Sequence, residues 1–100
     1  MVALLCAALT SAGPAPETHT VIIKDLAFSP ASLTIAPGDT VRWSNEDNRD
    51  HTVVASDGSF SSGNIAPGDS YSFRFRTKGD FAYACSLHPR MKGSVTVSDR

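Results

Sequence analysis

The chain is 100 residues long, 41% hydrophobic and 19% charged, with a formal net charge of −1. That length allows one domain, and the hydrophobic share fits a folded globular chain rather than a disordered one. The near-neutral balance argues against nucleic acid as the main partner, which calls for a basic face, and gives no support to strong attraction to a membrane surface.

Residues 1–16, "MVALLCAALTSAGPAP", carry no charge. An apolar run from Val2 to Leu9 followed by the small-residue stretch "TSAGPAP" predicts a secretory leader, cleaved near Ala12. The run lacks a basic start and is far too short to span a bilayer. Cleavage there removes Cys6 and leaves Cys85 as the one cysteine of the mature domain, residues 17–100. A disordered tail, lipid attachment at Cys6 and a Cys6–Cys85 disulfide are the alternatives, the last tying a loop to a segment with no fold of its own. An unpaired thiol in an exported domain requires an explanation.

From His19 on, the pattern is one of strands and turns, with no run of ten or more residues at helical period. His19 is expected to be an exposed strand residue. "TVRWSN" puts Val41 and Trp43 on one face, and "DHTVVA" aligns His51 with Val53 and Ala55 as a strand. "SYSFRF" alternates Tyr71, Phe73 and Phe75 against Arg74 and Arg76, which form a solvated face. "FAYAC" aligns Phe81, Tyr83 and Cys85, and "SVTVS" aligns Val95 and Val97. "IAPGD" occurs twice, at Ile35–Asp39 and Ile65–Asp69, each time just before an alternating run. Proline presets φ and glycine accepts positive φ, so the two copies predict equivalent corners rather than a duplicated functional motif. "SDGS" and "TKGD" mark two further turns, and Asp47 and Asp50 are assigned turn and surface roles. About seven or eight short strands result, enough for an all-β, two-sheet Greek-key sandwich. Trp43, Phe73, Phe75 and Phe81 are its expected heavy core members.

"CSLHPRM" holds the chemistry. Strand alternation sends Cys85 inward, and Pro89 and Gly93 forbid a long helix after it, so a tight loop follows. Such a loop, folded back, converges Cys85, His88 and Met91, with His51 arriving from another part of the chain. Thiolate and thioether are soft donors that favour Cu(I), while imidazole also suits Cu(II). Two histidines, one cysteine and a weak axial methionine form the donor set of a blue-copper electron-transfer site; zinc more often takes a fourth Cys, His or carboxylate. A catalytic Cys–His pair is the rival, but no third orienting group accompanies it.

Three stretches resemble the cupredoxin family, of the amicyanin and plastocyanin type: "FSPASLTIAPGDTVRWSNEDNRDHTVV", "PGDSYSFRF" and "YACSLHPRMKGSVTV". The resemblance implies one copper ion held by His51, Cys85, His88 and Met91. It implies that Thr52 and Ser86 brace the two ligand segments, and that His88 lies near the surface as the exit for electrons. It further implies an exported or periplasmic, monomeric, non-enzymatic carrier. Its partners would be redox proteins such as a cytochrome or a dehydrogenase. A periplasmic module that buffers or delivers copper is the alternative function.

Overall fold

The computed structural model describes residues 15–99. Cys6, the cleavage region near Ala12 and all but the end of the predicted leader lie outside the described residues. Eight strands are present: β1 Thr18–Lys24, β2 Ala27–Ser29, β3 Ser32–Ile35, β4 Thr40–Asn45, β5 Val54–Ala55, β6 Ser70–Arg74, β7 Gly79–Ala84 and β8 Lys92–Val97. They form two four-stranded sheets, ordered β2-β1-β4-β6 and β3-β8-β7-β5. Each sheet is mixed, because β1 runs parallel to β4 and β3 parallel to β8. Among the described residues no helix is long and apolar enough to cross a membrane. The predicted all-β sandwich is the observed fold.

Alternation builds the core. Along β4, Val41, Trp43 and Asn45 are buried while Arg42 points outward. Trp43 lies flat against Phe60 and Tyr71, at ring separations of 5.7 Å each, and edge-on to Tyr83 at 5.3 Å. Burying side chains of this kind contributes about 1.5–3 kcal/mol each. Phe73 and Phe81, expected deep in the core, are only partly buried and pack against its edge. Phe60 and Tyr83 fill the centre instead. Phe60 comes from the connection after β5, a segment with no alternation to mark it.

The two "IAPGD" copies are indeed equivalent corners. In each, the aspartate N–H donates to the alanine carbonyl three residues back, at 3.0 Å for Asp39 and 2.9 Å for Asp69. Gly38 and Gly68 occupy φ values of +98° and +87° after their prolines, where a β-carbon would be strained. The corners lead into the antiparallel partners β4 and β6 and so stand at opposite ends of that pair.

Their aspartates differ. Asp69 is exposed, whereas Asp39 is fully buried and accepts from the N–H groups of Ala36 and Glu17. His19 approaches the same carboxylate, Nε2 to Oδ2, at 2.9 Å. This corrects the expectation for His19, which is half-buried rather than exposed. A carboxylate this deep is costly without partners, and the imidazole supplies one.

A second correction concerns "DHTVVA". Only Val54–Ala55 is a strand, and His51 sits before it in an isolated antiparallel bridge to Ile65. Its N–H donates to the Ile65 carbonyl at 3.1 Å, and the Ile65 N–H returns to His51 at 2.7 Å. The histidine is therefore clamped by backbone as firmly as a strand residue would be.

Candidate metal centre

Cys85 follows directly on β7, where the inward alternation of Tyr83 and Cys85 leaves the sulfur with no exposure. The loop after it closes in steps of three. The His88 N–H donates to the Cys85 carbonyl at 3.3 Å, and the Met91 N–H donates to the His88 carbonyl at 2.8 Å. The Cys85 N–H then donates to the Met91 carbonyl at 3.0 Å and draws the loop shut. Pro89 is the second residue of the His88–Met91 turn, where its fixed φ is favourable. This is the physical content of the Cys-x-x-His-x-x-Met spacing: each turn returns the chain to the same side.

His51 Nδ1 lies 3.7 Å from Cys85 Sγ, and His88 Nδ1 lies 3.6 Å from it. A metal about 2.3 Å from sulfur and about 2.0 Å from each nitrogen, in a trigonal plane, separates S from N by about 3.7 Å. His51, Cys85 and His88 thus bring three ligand atoms to one point, and a metal fits among them. Met91 is buried at 4% exposure beside them and closes the loop. His51 is fully buried, while His88 is partly exposed and lies with Leu26, Leu87, Pro89, Arg90 and Met91 around a shallow, mostly apolar hollow.

The surroundings favour a thiolate. Burial pushes the Cys85 thiol up, but the Thr52 N–H at 3.4 Å and the two imidazoles outweigh it and bring the thiol down to about 6. Thr52 and Ser86 brace the two segments, as the resemblance implied. The Ser86 N–H donates to Thr52 Oγ1 at 2.7 Å, and the two hydroxyl oxygens are 2.8 Å apart.

Sequence reasoning missed Asp47, which it assigned to a turn. Its Oδ2 lies 2.9 Å from His51 Nε2. The bond to His51 outweighs the opposing effect of burial and holds the carboxyl down at about 2. An ionised carboxylate only accepts, so Asp47 holds a proton on His51 Nε2, and Nδ1 is the ring nitrogen that faces the sulfur. An acid four residues before the histidine was the available signal. That spacing carries a meaning in a helix, but none by itself in a loop.

A second group, Glu17, His19 and Asp39, also brings its ligand atoms together. Its Asp39 carboxylate is fully occupied in capping the first corner and bonding His19. Asp50 is exposed and does not reach the centre.

The comparisons agree with this geometry. Residues 1–97 match the family model of the cupredoxin-like domain. The chain is 38% identical over 85 residues to plastocyanin of Scenedesmus fuscus, across 72% of this chain and 87% of that protein. It is 30% identical over 101 residues to amicyanin-alpha of Methylorubrum extorquens, across 95% and 85% respectively. Among solved structures, a purple cupredoxin from Nitrosopumilus maritimus superposes with a TM-score of 0.75 at 32% identity, covering 80% of this chain and 99% of that one. The convergent thiolate and imidazoles, the closed methionine loop and these likenesses lead to one conclusion: the chain belongs to the cupredoxin-like family of copper proteins.

Proposed function

We propose that the chain is an exported one-electron carrier, with one copper ion held by His51, Cys85, His88 and Met91. Copper, when bound there, supplies the Cu(I)/Cu(II) couple. The observation that carries this reading is the pair of Nδ1 atoms 3.7 and 3.6 Å from a buried thiolate, with the His51 proton held on the far nitrogen by Asp47. Cys85 would be the strong donor, His51 and His88 would supply the two imidazoles, and Met91 would add a weak thioether.

The protein contributes rigidity. Backbone bonds fix His51 to Ile65 and Cys85 to Met91, and the hydroxyl pair Thr52–Ser86 locks the two segments together. Little can rearrange between oxidation states. Of the two histidines only His88 reaches the surface, so its ring edge is the route to a redox partner protein such as a cytochrome or dehydrogenase. Burial of Cys85 also argues against covalent catalysis, since no substrate reaches the sulfur.

Adding Cu(II) to the metal-free protein should give an intense visible band from thiolate-to-copper charge transfer and a reversible one-electron couple. Cys85→Ser should lose the band. A colourless Cu(II) complex of the unaltered protein would refute the ligand assignment. Ready loss of copper to an acceptor, with slow self-exchange, would replace the carrier by a copper-delivery module.

A further inference from the structure

The copper ligand His51 is joined to the rim of the centre through one oxygen atom. Asp47 Oδ2, 2.9 Å from His51 Nε2, also accepts from the Leu26 N–H at 3.2 Å. Leu26 belongs to the turn between β1 and β2, far from His51 in sequence. Both central residues of that turn, Asp25 and Leu26, hold left-handed φ values of +53° and +59° without being glycine. Left-handed backbone is costly for a residue with a β-carbon, most of all for a bulky apolar one, and strain of this kind clusters at functional positions. Packing does not demand the leucine, because its side chain is 43% exposed. It faces the apolar hollow on which His88 opens, beside the half-exposed Leu87.

Asp47 itself is held in place. Its Oδ1 accepts from the Asn48 N–H at 3.0 Å, and its own N–H donates to Asn45 Oδ1 at 3.0 Å. The fully buried Asn45 amide is in turn pegged to the Arg49 and Ile65 carbonyls, each at 2.9 Å. The carboxylate is therefore a fixed point with two donors sharing one oxygen. A carboxylate on the far nitrogen of a metal-bound imidazole raises its basicity and orients the ring. When two donors share an acceptor, loosening one strengthens the other.

The geometry points to Asp47 as a positioning residue that couples the strained Leu26 turn to His51, so that contact on the docking rim adjusts the donor strength of a copper ligand. This inference rests on the proposed copper reading. Contact that draws the Leu26 backbone away concentrates Oδ2 on His51, makes the imidazole a better donor and favours Cu(II). Contact that presses the turn home does the reverse. A partner that touches Leu26 beside His88 would thereby change the driving force while it docks.

The test has a metal-free arm and a copper arm. In the metal-free protein, amide exchange at Leu26 and the ring-nitrogen shifts of His51 are read by NMR, and the dispersion of the same spectra reports folding. Asp47→Ala should speed Leu26 exchange about tenfold, the loss of roughly one hydrogen bond. It should also release the His51 proton from Nε2, and Asp47→Asn, which keeps an acceptor, should restore part of both. In the copper protein, Asp47→Ala should raise the potential. Leu26→Gly, which holds the left-handed backbone without strain and so keeps the N–H on Oδ2, should raise it in the unaltered background and leave it unchanged in the Asp47→Ala background. Unchanged Leu26 exchange in Asp47→Ala, or the same Leu26→Gly response in both backgrounds, would overturn the coupling. Absence of a charge-transfer band would instead refute the copper reading, leaving the metal-free result to stand by itself.

Discussion

Burial by itself would keep the Cys85 thiol protonated, and its neighbours reverse that. The Thr52 N–H and the two imidazoles take the thiol from its ordinary value of 9.0 to about 6. The sign for the metal-free protein follows by linkage. A thiol with a lowered folded value adds stability that is complete above pH 9, shrinks as pH falls, and is gone below about pH 6. The urea midpoint of metal-free protein should therefore rise from pH 6 to pH 9, and Cys85→Ala should flatten that rise. Equal slopes would mean that the sulfur is not held as a thiolate. At this scale the four proposed ligands stood out because their residue types are rare and their spacing fixed. Asp47 and the His19–Asp39 pair were not. Aspartates are common in turns, and nothing local says which of them ends beside an imidazole.

Strand alternation named β4, β6, β7 and β8 because each turns one face inward, fully buried in β4 and only partly buried in β6. It overran at "DHTVVA", where Val53 extends the apolar run ahead of a very short β5 and the ladder gives way to one bridge at His51. Gly93 in β8 is legible only in the structure. It lies opposite Tyr83 in the β7–β8 register, and a β-carbon there would overlap the Tyr83 phenol ring and hydroxyl. That ring cannot step aside, since it is buried and stands edge-on to Phe28 at 4.9 Å and Trp43 at 5.3 Å. Gly93→Ala should cost about 1–3 kcal/mol, the usual penalty for overpacking, seen as a lower urea midpoint with an unchanged slope. A neutral result would show that β8 shifts freely against β7. Because β7 ends at Ala84, one residue before Cys85, the same variant should also broaden the visible band of the copper protein.

For the whole molecule, the candidate centre joins two places far apart in sequence, His51 before β5 and the Cys85–Met91 loop after β7. A metal there binds the folded chain and finds no such site in the unfolded one. Free copper at 100-fold its dissociation constant would add about 2.7 kcal/mol. A domain of about 100 residues gains ~4–8 °C per kcal/mol, so stripping copper with a chelator should lower Tm by about 10 °C or more. The Cys85→Ser protein should respond far less, and an equal drop in both would place the stabilising metal elsewhere.

The sequence by itself determined the all-β class, the corner turns and most strand faces, and it proposed the donor set, because each depends on residue type and, within the last loop, on short-range spacing. Pro-Gly-Asp makes its corner whatever surrounds it, and Cys-x-x-His-x-x-Met closes through its own backbone bonds. Only the tertiary structure decided which strands pair. The parallel β1–β4 and β3–β8 ladders join segments with no turn between them to announce the partner. It also decided what stands behind the ligands: Phe60 in the core, Asp39 under the first corner, and Asp47 between His51 and Leu26. Those contacts depend on long-range packing, which brings together groups whose separation along the chain carries no period.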